Sequence, residues 1–310
     1  MRYAEAIREH REAIDRVADG SALPKLKKIY DQAVSELERK LAGLVRARRG
    51  ETMTAHQVRA MLLQAKDAQR RLQARMSAQL GEASRSAYRD SVAKLHRQVA
   101  KLDQRFAGAV TVLPIVQAGV FAGVRDERER SLIRLHQSSF ERYGERLTKA
   151  IEGQLTMSLV TGETPYEATQ RVVDTVHNRW WEADRIVRTE LSWAANAGHY
   201  DGIRVAAKHN PGLMMRWVEH CTDDGAPLDD RVGVDSMAMH GQVAHPGGRF
   251  TMPDAAPDGA AVPDVLVGRS WMFPPDRPND RAVLSPWRPR WGGRGWRLIG
   301  GERVPVGVDA

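Results

Sequence analysis

The sequence predicts an α+β protein, with a long, mostly helical N-terminal region followed by a small, mixed and loop-rich α+β domain. Proline separates the two parts, since three prolines precede residue 200 and twelve follow it. All eight tryptophans lie after residue 179. A charged region with little proline is compatible with long helices, whereas frequent proline and glycine indicate turns and loops.

Apolar residues in the first part recur at alternating intervals of three and four positions. This spacing runs from Tyr3 to Val17, from Val34 to Leu44 and from Tyr88 to Phe106. It places each set on one stripe of a helix, and such a stripe must pack against a partner. We expect a break between helices at Gly50–Thr52. Further along, Thr164, Pro165 and Glu167 predict the start of another helix.

Charge is also divided unevenly. Residues 1–150 carry 30 Lys and Arg against 18 Asp and Glu, whereas residues 151–310 carry 17 against 21, which gives the net charge of +8. A basic first half suggests an acidic partner such as nucleic acid. Without a groove-reading motif, such contact would be to phosphates and independent of sequence. The alternative is that these charged residues only form the solvated surface of a helical bundle.

We divide the chain into a basic helical arm at residues 1–125, a domain with its leading helices at residues 126–290, and a Trp/Arg/Gly-rich tail at residues 291–310. The N-terminal "MRYAEAIREH" is charged throughout and does not predict a signal peptide. Ala107–Val124 contains no charge, but it is at the lower length limit for a membrane span and Pro114 lies inside it. We therefore expect a buried helix or apolar turn there, and no membrane partner.

A set of residues in the second part of the chain follows a recognisable order. It begins on one predicted helix, continues through the strand-like "MMRWV" and "HGQV", and comprises Arg185, Arg188, Thr189, Glu190, Asn196, Trp217, Arg231, His240, Gly241 and Phe250. In this order and at these spacings, the residues resemble the phage Mu F-like head morphogenesis family, the minor head proteins of tailed phages. The resemblance covers roughly residues 130–290.

The resemblance implies a structural role in head assembly, with effects on DNA packaging or ejection and no catalytic step. The implied partners are the portal protein, other phage head proteins and packaged double-stranded DNA, with self-association in a ring-like assembly. The implied location is the virion, inside the capsid near the portal vertex, and the host cytoplasm during assembly. One departure is that many relatives close with a Cys-Arg-Cys element, whereas this chain reads "NDRAVLSPWRP" there.

The charged residues of the predicted helix also have a physical interpretation. Arg188 and Glu190 are too close in sequence to face each other, so each needs a partner elsewhere. Ion pairs and backbone hydrogen bonds would fix the loop-rich region against this helix. The alternative is that Glu190 is a catalytic carboxylate, although no second acid or nucleophile stands in a diagnostic arrangement with it.

Donor types suited to zinc occur between residues 220 and 245. The candidates are His220, Cys221, Asp223, His240 and His245. Their spacing matches no standard zinc pattern, and a single cysteine excludes a four-cysteine site. We favour a structural His240 that bonds to backbone carbonyls or a carboxylate, with Gly241 allowing a tight turn. On this interpretation we expect no cofactor. The alternative is that these residues bind zinc and that the chain is a metal-dependent enzyme or effector.

The C-terminal segment alternates aromatic and basic residues, namely Trp287, Arg288, Trp291, Arg294 and Trp296. This alternation suits docking on a partner protein or stacking with nucleic acid. The alternative is that the tryptophans cover the domain's own apolar surface. A second alternative function for the whole chain is a stand-alone basic DNA-binding protein, which predicts salt-sensitive DNA binding by residues 1–150.

Overall fold

The computed structural model describes residues 2–45, 52–107, 118–222, 226–275, 277, 280–292 and 294–306. The helices are α1 (Tyr3–Val17), α2 (Leu23–Val45), α3 (Ala55–Ala107), α4 (Ala118–Val160), α5 (Pro165–His177), α6 (Trp180–Ala207) and α7 (Val234–Met239). The strands are β1 (Met214–Val218), β2 (Val243–Ala244), β3 (Phe250–Thr251), β4 (Ser270–Trp271), β5 (Val283–Trp287), β6 (Trp296–Ile299) and β7 (Glu302–Pro305). A π-helical turn, Ala18–Ala22, joins α1 to α2, and a 3-10 turn, Pro289–Trp291, follows β5.

The predicted α+β class is confirmed, because long N-terminal helices make the chain 66% helical and small antiparallel sheets follow them. Helix α2 ends at Val45 and α3 begins at Ala55, on either side of the break expected at Gly50–Thr52; of that segment, residues 50 and 51 lie outside the described residues. Most of the apolar segment Ala107–Val124, residues 108–117, lies outside the described residues. Among the helices that are described, none is long and apolar enough to cross a membrane.

The chain forms two compact units, and neither is continuous in sequence. The first unit contains Met1–Val17, Ser84–Glu129 and Thr189–Ala310, and the second contains Ala18–Ala83 and Arg130–Arg188. This grouping differs from the division at residues 125 and 290 because α3, α4 and α6 each contribute residues to both units. The second unit carries 22 Lys and Arg against 15 Asp and Glu, whereas the first carries 25 against 24. The basic excess therefore belongs mainly to the second unit.

The second unit is helical, with a core built from the apolar stripes of its helices. Tyr30 of α2 and Tyr143 of α4 meet inside it, with 3.0 Å between their hydroxyl oxygens. The predicted start of α5 is confirmed as a capping box. The Thr164 hydroxyl accepts from the Glu167 amide, the Glu167 carboxylate accepts from the Thr164 amide, and Pro165 occupies the first turn.

The first unit contains an antiparallel sheet with the order β2-β1-β5. Strands β1 and β5 are buried along their whole length and pair in register, with Trp217 opposite Leu284. The predicted strand "MMRWV" is therefore confirmed as β1. The strand pairs β3–β4 and β6–β7 form two smaller antiparallel sheets. Helix α6 stops at Ala207, and a turn leads from it into β1.

Helices α3 and α6 approach each other closely within the first unit at Gly198. A Cβ atom on this residue would lie 2.5 Å from the backbone oxygen of Tyr88 and 3.0 Å from Cβ of Ser91. Backbone atoms cannot move aside as a flexible side chain can. The close packing of the two helices therefore requires glycine at this position.

We predict that Gly198→Ala lowers the free energy of unfolding of the first unit by about 1–3 kcal/mol, because the added methyl group overpacks the α3–α6 contact. Gly153→Ala on α4 is the matched control, since no atom lies within 4 Å of its Cβ position. That control should raise stability by about 0.5–1 kcal/mol through helix propensity. Thermal and denaturant unfolding measure both effects, and equal stability of the two variants would contradict the close contact.

Candidate functional site

The side chain of Asn196 closes the outer edge of β5, which is the last strand of its sheet. Its Oδ1 accepts from the Leu284 amide at 2.8 Å, and its Nδ2 donates to the Ala282 carbonyl at 3.2 Å. One turn along α6, His199 Nδ1 lies 2.8 Å from the Leu284 carbonyl oxygen. Helix α6 thus supplies the hydrogen bonds that a further strand would have provided. This makes Asn196 a structural residue.

A buried histidine from α1 extends this network. The ring of His10 stacks on that of His199, with 3.4 Å between centroids and 12° between planes. His10 Nε2 lies 3.4 Å from Asn196 Oδ1. Because amide and carbonyl oxygens only accept, the bonded nitrogen of each ring carries the hydrogen. His10 Nδ1 and His199 Nε2 are then bare acceptors, buried without a hydrogen-bond partner among the described atoms.

This arrangement requires both imidazoles to be neutral. Burial lowers the pKa of His199 to about 4, with a smaller contribution from the charge of Lys94. Burial also holds the pKa of His10 well below its ordinary value, and the neighbouring His199 lowers it further. Protonation would place positive charge on stacked rings that no carboxylate is shown to contact. His10 lies at a stripe position within the periodic segment from Tyr3 to Val17, but this spacing did not connect it with Asn196.

A second group of motif residues forms the turn that returns the chain to β1. The Gly241 amide donates to the Trp217 carbonyl, and the Trp217 amide donates to the Gln242 carbonyl, each at 2.9 Å. Gly241 has φ of +81°, which confirms the predicted need for glycine in a tight turn. The Trp217 ring packs edge-on against Phe250, with 5.4 Å between centroids. These residues fix the β1–β2 connection.

His240 is buried in this turn, as the structural interpretation predicted. Its bonding partner differs from the one expected, however, because Nδ1 accepts from the Glu219 backbone amide at 3.2 Å. We expected the ring nitrogens to bond to carbonyls or a carboxylate. The reason is local: the chain leaves β1 with the amide of Glu219 directed at the ring, so this nitrogen must act as an acceptor.

Arg231 is exposed and belongs to an ion-pair cluster around the half-buried Asp229. The two carboxylate oxygens of Asp229 accept from Arg281 at 2.7 Å, and one also accepts from Arg231 at 3.0 Å. The hydrogen bonds from Arg281, then those from Arg231, hold the pKa of Asp229 well below its usual range. Arg281 was not singled out from the sequence. Its place at the end of the proline-rich segment was the available signal.

The motif arginines of α6, Arg185 and Arg188, belong to the second unit. Arg188 pairs with Asp19 at 2.7 Å and with Asp184 at 3.3 Å, so it does find its partners away from Glu190. The Arg185 guanidinium lies over the Trp181 ring, 5.1 Å from its centroid. Thr189 and Glu190 belong to the first unit; Thr189 is half-buried and Glu190 is buried.

The structure does not gather the candidate zinc ligands into one site. In the part of the chain that is described, no three His, Cys, Asp or Glu residues lie close enough to hold a metal ion. His220 lies 3.8 Å from Asp229, and His245 is exposed. Asp223 lies outside the described residues. Burial, reinforced by the charge of Glu219, raises the pKa of Cys221 to about 12, so this residue is a thiol rather than a thiolate.

The tryptophans of the C-terminal segment differ in exposure. Trp287 and Trp291 are each 1% exposed, so they cannot dock on a partner while the unit is folded. For these two residues the docking prediction is corrected in favour of the alternative, that they cover the domain's own apolar surface. Trp296 is half-buried and donates from Nε1 to the His240 carbonyl at 2.8 Å. Arg288 donates to the Pro211 carbonyl, and Arg294 is exposed.

Two residues of this segment, Arg290 and Trp291, also contact a buried carboxylate. Asp103 of α3 is fully buried, and its Oδ1 accepts from Arg290 at 3.0 Å and from Trp291 Nε1 at 3.2 Å. A carboxylate is costly to bury unless it is paired and hydrogen-bonded. The residues after β5 are therefore part of the first unit's structure rather than a separate tail.

Comparison of the chain with protein-family models, with curated proteins and with solved structures gave no match in any of the three. What the protein does must therefore be inferred from its own residues. The polar groups of Asn196, His199, His240 and Gly241 are bonded to the protein's own backbone. This arrangement holds a scaffold in one conformation.

We predict that Asn196→Ala lowers the free energy of unfolding of the first unit by about 2–4 kcal/mol, because each buried backbone group left without a partner costs about 1–3 kcal/mol. Asn178→Ala is the matched control, since Asn178 is exposed at the end of α5. That change should lie within about 0.5 kcal/mol of the wild type. Denaturant unfolding measures both. An Asn196→Ala variant that is as stable as the wild type would show that the Asn196 side chain is not needed at the edge of β5.

We also predict that acid destabilises the first unit. The pKa of His199 is about 4 in the folded protein, against about 6.5 in an unfolded chain. The unfolded state therefore binds more protons between these pH values, so stability is complete above about pH 6.5 and falls as the pH approaches 4. For His199 alone the loss is about 3 kcal/mol.

Replacing His10 tests this pH dependence. His10→Phe keeps an aromatic ring in the stack but cannot bind a proton, so the slope of stability against pH between 4 and 6.5 should become shallower. His177→Phe, at the exposed end of α5, serves as the control and should keep the wild-type slope. Unfolding measured across this pH range gives the slopes. An unchanged slope in His10→Phe would show that His10 does not contribute to the pH dependence of stability.

Proposed function

We propose that the protein is a minor capsid protein of a tailed phage or prophage, acting in head morphogenesis. It would bind the portal protein and other head proteins inside the capsid near the portal vertex, self-associate there, and contact packaged DNA during assembly, packaging or ejection. The ordered residues from Arg185 to Phe250, which resemble the phage Mu F-like head morphogenesis family, support this proposal. No catalytic step is part of it.

The observation that carries the proposal is the way the motif residues bond. Asn196 closes the edge of β5, His240 accepts from a backbone amide, and Gly241 completes the turn beside β1. Groups in such positions stiffen a module, whereas a reaction site needs groups directed at a substrate. A module whose motif side chains bond to its own backbone suits a structural component of a particle.

The charge of the second unit supports contact with packaged DNA. This unit has an excess of seven basic over acidic residues, from 22 against 15. A general positive field attracts phosphates without reading sequence. The same excess favours the second candidate, a stand-alone DNA-binding protein, which would bind DNA without portal or capsid partners. The metal-dependent enzyme has weaker support, because the described candidate ligands are not gathered in one place.

Quantitative mass spectrometry of phage-like particles tests the proposal. Particles would be purified from cells that carry this gene and its neighbours, and DNA-filled and empty fractions would be compared. We expect the chain in both fractions, together with portal protein and at a constant ratio to it. A chain lacking residues 189–306 serves as the control, because it loses the strands and most of the motif.

Two results would contradict the proposal. One is recovery of the chain only in the soluble fraction, bound to DNA, which would favour the stand-alone DNA-binding protein. Alternatively, purified protein could contain a stoichiometric metal that is lost in His240→Ala together with a measurable turnover, which would favour the enzyme. Recovery of the chain with portal protein in every particle fraction excludes the first of these outcomes.

A further inference from the structure

A positively charged stripe lies on the exposed face of α2 in the second unit. Lys28, Gln32, Ser35 and Arg39 follow one another at intervals of four, three and four residues, which places them on one side of the helix. They line a shallow groove together with Arg75 of α3. Among the described residues, no carboxylate forms an ion pair with Lys28 or Arg39. We call these four residues the basic stripe.

A matching negatively charged stripe lies on α4 of the same unit. Glu141, Glu145, Thr148 and Glu152 have the same intervals of four, three and four residues. They line a second groove, whose opposite wall includes Gln69 and Gln73 of α3. Glu152 pairs with Lys66 at 2.8 Å, whereas no described cation forms an ion pair with Glu141 or Glu145. We call the four α4 residues the acidic stripe.

The two stripes match in length as well as in charge. Each spans eleven residue steps, or about 16 Å at 1.5 Å per residue. When two helices lie side by side, the two cations of the basic stripe therefore lie opposite Glu141 and Glu152, at the ends of the acidic stripe; Glu152 is already paired with Lys66, so Glu141 is the end carboxylate that is left to form a new ion pair. The polar residues between the ends, Gln32 and Ser35 on α2, then face Glu145 and Thr148 on α4.

The two grooves open on different sides of α3. Arg75 borders the first and Gln73 borders the second, and residues two apart on a helix point about 200° apart. One molecule can therefore use its basic stripe and its acidic stripe at the same time. Each stripe would face a different neighbour.

The basic groove suits a protein better than DNA. Asp31 and Glu36 also line it, and these carboxylates would repel phosphates. Asp31 is paired with Lys27, and Glu36 lies 3.7 Å from Arg75. Two basic groups, Lys28 and Arg39, then remain without an ion pair among the described residues. The acidic stripe offers two carboxylates in the same condition.

We infer that α2 of one copy docks along α4 of a second copy, with the basic stripe of the first against the acidic stripe of the second. The contact joins two different surfaces, so it is head-to-tail and closes into a ring or continues as a filament. Exposed ion pairs are individually weak and are screened by salt. The inference names the contact behind the self-association in the proposed function, and it rests on that function for where the assembly forms.

Sedimentation velocity of the full chain, over a range of protein and salt concentrations, tests this contact by charge reversal. We expect association at low salt that weakens as salt is added. Lys28→Glu/Arg39→Glu and Glu141→Lys/Glu145→Lys should each weaken it by at least about tenfold, because like charges then oppose each other. An equimolar mixture of the two variants should associate again, since the unchanged basic stripe of one variant can then dock on the unchanged acidic stripe of the other.

The control is Arg59→Glu/Arg70→Glu, which makes the same change in net charge at the same eleven-residue spacing on α3, outside both grooves. It should associate like the wild type. Circular dichroism checks that all variants fold, as expected for exposed positions. Three results would overturn the inference: a wild type that is monomeric throughout, equal weakening in the control, or no recovery in the mixture.

Binding of double-stranded DNA, measured on the same variants, separates the alternatives. If the basic-stripe variant loses DNA binding while self-association is unchanged, the groove takes DNA and the inference is wrong. The proposed function fails independently, by exclusion of the chain from particles. A chain that enters particles but never self-associates contradicts this inference and the self-association in the proposed function, but not the role as a head protein. A chain that associates through the stripes but never enters particles contradicts only the proposed function.

Discussion

The hydrogen bonds from Asn196 to β5 are the interaction on which the first unit depends. The sheet ends at β5, and its outer edge is buried against helix rather than paired with another strand. A buried amide or carbonyl without a partner is costly, so a helix can cover this edge only if it supplies polar groups. Asn196 supplies both a donor and an acceptor in one side chain. The stacked rings of His199 and His10 connect α1 to this network.

The two units differ in how their charged residues are balanced and exposed. In the first unit, basic and acidic residues nearly balance, and several pairs are buried; Asp201, for example, accepts from Arg128 through both oxygens and from the Tyr88 hydroxyl, all at 3.0 Å. In the second unit, many charges are exposed on helices and a basic excess remains. Charges that are paired inside a unit fix its structure, whereas exposed charges in stripes are available to other molecules. Partner contacts are thus expected mainly from the second unit.

Local patterns in the sequence predicted local structure well. The spacing of apolar residues indicated the long helices, Thr164 and Glu167 predicted the start of α5, and "MMRWV" predicted β1. Contacts between distant residues were harder, because periodicity carries no information about which stripe meets which. His10 stacks on a residue 189 positions away, although its place on an apolar stripe was visible. Likewise, alternating Trp and Arg suits a docking surface and a packed edge equally well, and only burial of Trp287 and Trp291 decided between them.

The motif side chains bond to the protein's own backbone, and amide hydrogen exchange at Leu284 tests this role most directly. This amide faces α6 rather than β1 and has the Asn196 side chain as its acceptor. It should exchange as slowly as the amides of β1 that lie between two strands. Exchange of Leu284 at the rate of an exposed loop amide would show that Asn196 does not close the sheet, and the structural interpretation of the motif would then be wrong.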